Sequence, residues 1–235
     1  MKRNAVCLCL FLAIAAVVIP ARADAGVSLG FSSWYAWWEM KPDSGSTIDP
    51  APLYGPVLGV DFAQRWSLTS VLLMGDYTAE NDSMGVDIEY RRYDSDTALN
   101  YSLSRYFKVF AGFKYMRYDM SIESVDFEFK HISYGPGLGI GATIPLSDSL
   151  FVIANVSGMY LFGTRKATQA DYYETGIDSA LGLAYYITPI ATTITAGFRY
   201  QYFETRTMED DTNHHFYGVT LSAVWHFSTG TSDVE

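Results

Sequence analysis

Beyond its first two dozen residues, the chain alternates apolar and small or polar positions with a period of two. Val27, Leu29, Phe31, Tyr35 and Trp37 interleave with Ser28, Gly30, Ser32, Trp34 and Ala36. The same rhythm returns at Tyr54–Phe62, Arg92–Leu103, Lys108–Tyr115, Ile132–Ile144, Glu174–Ile187 and Ile194–Tyr202. A two-residue period sends successive side chains to opposite faces of a β-strand. Trp66–Tyr77 and Leu150–Phe162 have strand character but are apolar on both faces, so their orientation stays open. The pattern predicts ten strands: Ala25–Met40, Leu53–Ala63, Trp66–Tyr77, Val86–Leu103, Phe107–Met120, His131–Pro145, Leu150–Gly163, Tyr173–Ile187, Ala191–Thr205 and His215–Ser228. Eight long strands plus a folded-back hairpin is the alternative.

The predicted connections alternate in length. Gln64-Arg65, Ser104–Tyr106, Ser147–Ser149 and Thr188–Ile190 are tight, whereas Lys41–Pro52, Thr78–Gly85, Ser121–Lys130, Thr164–Tyr172 and Arg206–His214 are longer and polar. Short turns at one end and long loops at the other suit an up-and-down barrel in an outer membrane. Aromatics at both strand ends suit interfacial girdles: Trp34, Tyr35, Trp37 and Trp38 at one, Trp66 and Trp225 at the other. Trp34 and Trp38, however, sit on the interior parity. The non-apolar face is rich in Gly, Ser and Ala, which suits a narrow interior. In hydrocarbon a sheet must close so that every backbone N–H and C=O is paired. The expected fold is therefore all-β, a transmembrane antiparallel β-barrel.

The segment before Asp24 has a different character. Lys2 and Arg3 precede an apolar run from Ala5 to Pro20, and Ala21-Arg22-Ala23 follows. This is the layout of a secretory signal peptide, expected to occupy residues 1–23 and to leave 24–235 as one barrel domain. Both cysteines, Cys7 and Cys9, fall inside that segment, so the processed chain has no thiol and no disulfide framework. Removing Lys2, Arg3 and Arg22 takes the formal charge from -10 to about -13. An acidic chain of this kind is a poor partner for nucleic acid. No cofactor fingerprint is present. Export with a barrel pattern places the protein in the outer membrane by way of the periplasm.

The last strand carries a resemblance. Tyr217, Val219, Leu221, Ala223, Trp225 and Phe227 alternate up to a terminal aromatic, which resembles the C-terminal assembly signal of bacterial outer-membrane proteins. Ser228–Glu235 follow, where that pattern usually ends at the aromatic. The mature chain as a whole is similar to the small-barrel class that includes OmpA-like and OmpW-like proteins. The resemblance implies outer-membrane lipid, lipopolysaccharide and, during biogenesis, the barrel-assembly machinery as partners.

Three constellations could carry chemistry. Arg92, Asp94, Asp96, Asn100, Lys108, Lys114, Glu174, Asp178, Arg199 and Gln201 share the lumen parity of their strands. Buried charges must pair or stay wet, so these residues form either a salt-bridged plug or a polar path for small solutes, and the plug is the favoured reading. His131 and Ser133 resemble the His-x-Ser-Asn pattern of lipid A deacylases, with Tyr134 replacing the Asn and inward parity opposing access to lipid. Glu209, Asp210, Asp211, His214 and His215 read as a solvated acidic loop that could hold divalent cations between lipopolysaccharide phosphates. The expected role is a non-enzymatic barrel with a structural, surface or narrow-pore function. A lipid-modifying enzyme and a surface adhesin are the alternatives.

Overall fold

The structure, a computed structural model, describes residues 26–41, 47–81, 86–122, 125–165, 170–206 and 211–228. The signal-peptide expectation for residues 1–23 lies outside them. The described chain is almost entirely strand: β1 (Gly26–Lys41), β2 (Ala51–Ala63), β3 (Trp66–Asn81), β4 (Val86–Ser102), β5 (Phe107–Ile122), β6 (Val125–Pro145), β7 (Leu150–Arg165), β8 (Ala170–Ile187), β9 (Thr192–Arg206) and β10 (Asp211–Ser228). Each strand pairs antiparallel with its chain neighbours, and β1 pairs with β10 from Gly26↔Ser228 to Lys41↔Asn213. The sheet thus closes into a ten-stranded barrel with no free edge. A two-residue segment, Thr47–Ile48, adds to the upper end of β3.

The register fixes the width. Following directly opposed residues from Gly26 through Asp61, Ser67, Asn100, Phe110 and Gly139, then Ser157, Asp178, Gln201 and Phe216, returns to β1 at Trp38, twelve residues along. Ten strands with that stagger tilt by about 40° and place their Cα atoms about 10 Å from the axis. Across that width, large side chains from opposite walls meet.

The strands run further than the hydrophobic alternation at the long-connection end. β6 begins at Val125 rather than His131, β10 at Asp211 rather than His215, and β3 continues to Asn81. The expected loops Ser121–Lys130, Thr164–Tyr172 and Arg206–His214 therefore consist partly of paired strand. Outward positions there are polar, as on Asp76, Arg91 and Asp119, so the apolar stripe stops while the backbone ladder continues. The two strands left unoriented by sequence are also resolved. Leu73 and Tyr77 of β3 and Leu161 of β7 point inward and are buried, while Trp66, Met74, Val156, Tyr160 and Phe162 are exposed outward.

Two of the short turns use one device. Ser104 Oγ accepts from the backbone N–H groups of Tyr106 and Phe107, and Ser147 Oγ accepts from those of Ser149 and Leu150. The turn before β9 is a single 3-10 turn, Thr188–Ile190, closed by Ala191 in the left-handed region at φ 45°.

A motif recurs every fourth strand. Tyr54-Gly55, Tyr134-Gly135 and Tyr217-Gly218 each have Leu four residues after the Tyr, on β2, β6 and β10. The three glycines face inward, where a Cβ would collide with the carbonyl oxygens of Leu72, Tyr160 and Tyr35 on adjacent strands. Glycine permits this close approach where a small barrel coils most tightly. Pro56 and Pro136 follow the first two and face outward. On that side the ladders to β3 and β7 skip the Gly-Pro pair and resume in the same register, because proline has no N–H to donate.

Candidate functional site

The interior parity of β4, β5, β8 and β9 brings seven side chains into a closed ring. Arg92 Nη2 donates to Asp94 Oδ2 and, at 2.6 Å, to Gln201 Oε1. Lys114 Nζ donates to Asp94 Oδ1 at 2.5 Å and to Asp96 Oδ1 at 2.9 Å. Arg199 donates to Asp96 Oδ2 at 2.5 Å and grips both carboxylate oxygens of Asp178. Gln201 Nε2 donates to Asp178 Oδ2 at 2.6 Å, which completes the circuit. Three cations alternate with three carboxylates, and the Gln201 amide supplies the seventh link. The ring is electrically neutral and joins opposite walls of the barrel.

The ring has a dry side and a wet side. The side chains of Arg92, Asp94 and Lys114 are 0–1% exposed, whereas Asp96 is 31% exposed. On the dry side lies a packed aromatic mass. The Trp38 ring stacks on Tyr118 and Phe216 at centroid separations of 5.4 and 5.2 Å and meets Tyr77 and Tyr90 edge-on. The Arg92 guanidinium lies 3.9 Å from the Phe216 ring centroid, a cation–π geometry that covers part of a buried charge. Trp34 lies beneath both Arg92 and Arg199. Trp34 and Trp38, grouped by sequence with a membrane-interface girdle, instead point inward and are buried. Tyr35 and Trp37 remain exposed on the outer face. On the wet side, toward the short turns, a cavity of about 360 Å³ opens beneath Asp96, Lys114, Asp178 and Arg199, with Asn155 and Ser157 on its wall.

The other sequence-nominated residues lie apart from the ring. Asn100 Nδ2 donates to Ser67 O, Thr69 Oγ1 and Ala98 O, close to the short turns. Lys108 lies in the same lower region, 5.9 Å from the Phe110 ring centroid. Glu174 belongs to a second buried cluster in the upper half, where its Oε1 meets His131 Nε2 at 2.8 Å and accepts from Thr205 Oγ1 at 2.7 Å. Ser133 Oγ contacts the same His131 nitrogen at 3.3 Å and Tyr172 Oη at 3.1 Å, and the His131 and Tyr172 rings stack at 4.4 Å. A Ser–His–acid relay needs the acid and the nucleophile on different ring nitrogens. Here both meet Nε2, and Ser133 is fully buried inside the barrel, away from any lipid substrate.

Of the proposed acidic loop, the described residues Asp211, His214 and His215 do not converge on one site. Glu209 and Asp210 lie outside the described residues. His214 and His215, adjacent on β10, project to opposite faces. Trp38 Nε1 donates to His214 Nδ1 inside the barrel, whereas His215 Nδ1 meets the exposed-side Tyr200 hydroxyl. Among the described residues no cluster of His, Cys, Asp and Glu could hold a metal ion. The assembly-signal residues Val219, Leu221, Trp225 and Phe227 are exposed on the outer face of β10.

Besides Trp34 and Trp38, whose interior parity the sequence displays, the lumen parity holds buried aromatics that the charge-based reading passed over, among them Tyr77, Tyr118, Phe203 and Phe216. On two strands the polar stripe continued upward by four residues reaches two of them, from Lys114 to Tyr118 and from Arg199 to Phe203.

The profile of the outer membrane protein beta-barrel domain matches residues 5–178 of the 235-residue chain. The chain belongs to that family. This membership, with the closed barrel and its exposed apolar belt, places it in the bacterial outer membrane; in barrels of this class the short turns face the periplasm. No curated protein sequence matches it. Among solved structures it resembles the Escherichia coli outer membrane protease OmpT, with a TM-score of 0.53 and 9% identity over 87% of this chain and 96% of that one. It also matches the β domain of the Bordetella autotransporter BrkA, with a TM-score of 0.47 and 11% identity over 87% and 99% of the two chains. A third match is the translocator domain of the Neisseria meningitidis autotransporter NalP, with a TM-score of 0.44 and 12% identity over 95% and 96%. At these identities the likeness to OmpT speaks to the barrel alone.

Proposed function

We propose that this outer-membrane barrel is a non-conducting structural element, sealed across its middle and upper interior and presenting its strand extensions at the cell surface. The observation that carries this reading is the neutral seven-residue ring capped by the Trp38 aromatic stack. Ring members Arg92, Asp94 and Lys114 and cap members Trp38 and Phe216 are all at most 5% exposed. A charged group in so narrow an interior must pair or stay hydrated; here the charges pair with one another. Lipopolysaccharide around the outer leaflet and the barrel-assembly machinery acting on β10 are the proposed partners.

The test is planar-bilayer recording of the refolded chain. Wild type stays electrically silent, while a Trp38→Ala/Phe216→Ala variant that still shows heat-modifiable gel migration passes discrete current steps. Steps in the wild type would overturn the reading. A narrow solute path is the second reading, favoured by the 360 Å³ cavity and the partly exposed Asp96 edge. It requires such steps, altered in amplitude by Asp96→Asn.

A further inference from the structure

The lipid-facing wall is not uniform. Leu99, Ala111, Leu138, Gly158 and Ile177 stand directly opposite one another across β4 to β8. In that row Leu138 is 72% exposed, a ridge between two low points at Ala111 and Gly158. A Cβ built on Gly158 meets nothing within 4 Å. One step toward the periplasm, Tyr101, Val109, Ile140 and Val156 form the next row, with Trp66 beside Tyr101. Together they bound an apolar groove of about 790 Å³ on the outer face, within the roughly 300–1,000 Å³ of clefts that bury a small organic molecule.

The foot of the groove is net cationic, with two arginines against the one acidic residue of the described short turns, the exposed Asp148 between β6 and β7. Among the described residues of the four short turns, the basic side chains are Arg65 and Arg105, and both are exposed. Their turns are fastened beneath this sector. Ser102 N donates to Arg65 O and Thr143 N to Tyr106 O, each at 2.8 Å. Arg65 reaches the Tyr101 hydroxyl at 3.5 Å, and the Trp66 and Tyr101 rings pack at 4.8 Å. An aromatic pair at this level marks the boundary between headgroups and hydrocarbon.

We propose that this sector is a binding site for one anionic phospholipid of the periplasm-facing leaflet, its phosphate against Arg65 and Arg105 and an acyl chain in the groove beside Leu138. Charge complementarity selects the anionic headgroup, and the missing side chain at Gly158 makes room for the tail. The site lies on the outer wall and is independent of whether the lumen conducts.

Native mass spectrometry of the full chain released from detergent tests it, with dioleoylphosphatidylglycerol and dioleoylphosphatidylcholine as probes. A basic residue near an anionic surface contributes about fivefold in affinity. The wild type therefore retains one phosphatidylglycerol at least about fivefold over phosphatidylcholine. Arg65→Ala/Arg105→Ala abolishes the preference. Gly158→Leu, which has open space for its side chain, lowers retention of both lipids and leaves the preference. Equal retention of the two lipids by wild type, or no effect of the double arginine variant, would overturn the proposal. So would unchanged retention in Gly158→Leu, or displacement of the lipid by excess inorganic phosphate, which would reduce the site to a surface anion contact.

Discussion

Asp94 tests the ring most directly. Its carboxylate accepts from both Arg92 and Lys114, and its side chain is 1% exposed. Asp94→Ala leaves two buried cations with one ring partner each, Gln201 for Arg92 and Asp96 for Lys114. The ring then carries three positive charges against two negative. Removing one partner from a buried ion pair costs about 3–5 kcal/mol. With a urea dependence of about 2 kcal/mol per molar, the unfolding midpoint falls by about 1.5–2.5 M. The assay is equilibrium urea unfolding of the chain refolded into phospholipid vesicles, followed by tryptophan fluorescence and heat-modifiable gel migration. A second substitution separates charge from packing. Lys114→Met in the Asp94→Ala background removes the stranded ammonium, so the double variant is more stable than the sum of the single effects implies, by about 1–3 kcal/mol of coupling. A shift below about 1 kcal/mol for Asp94→Ala, or no coupling with Lys114→Met, would refute the claim that the ring acts as a unit.

Other perturbations probe different layers of the same molecule. Arg91→Ala removes the exposed pair with Asp76, whose side chains are 59% and 61% exposed. It shifts stability by less than about 1 kcal/mol in the same urea assay, and added salt erases the shift. Gly135→Ala forces a methyl group into the Tyr160 carbonyl and destabilises by about 1–3 kcal/mol, whereas Gly158→Ala leaves the midpoint unchanged. Leu138→Arg places a charge on the lipid face and lowers stability in vesicles by about 2–4 kcal/mol near the bilayer midplane. Ser104→Ala and Ser147→Ala each free two turn N–H groups and cost about 0.5–1.5 kcal/mol, measured by the same unfolding transition.

The barrel was legible in sequence because its two faces answer to two solvents. Leu29, Phe31, Leu181 and Leu183 face hydrocarbon, their neighbours face the interior, and the two-residue period records the difference. The strand extensions were not legible. Beyond the membrane, outward positions such as Asp76, Arg91 and Asp119 meet water, and alternation fades although pairing continues. The ring members share a parity that the sequence displays, but their partnership depends on register across strands some hundred residues apart, as for Arg92 and Gln201. The aromatic cap was hidden for another reason. The interior parity of Trp38 is visible in the sequence, but its partners Tyr118 and Phe216 are aromatics on the polar parity, and a search for polar lumen residues passes over them. The deacylase-like spacing of His131 and Ser133 is real in the sequence. Its meaning changes only when Glu174 and Ser133 are seen to share one imidazole nitrogen.

The stagger that sets the barrel's width also sets the gap that Arg92 and Arg199 must cross. Two more strands would widen this barrel by about 4 Å. Arg92 and Arg199 could not then span the gap to partners on the far wall. The links Arg92–Gln201 and Arg199–Asp96 would open, while Arg92–Asp94, Lys114–Asp94 and Arg199–Asp178 would stay paired along each wall. The tie across the middle is therefore matched to ten strands, and a wider barrel would split it into two separate walls of paired charge.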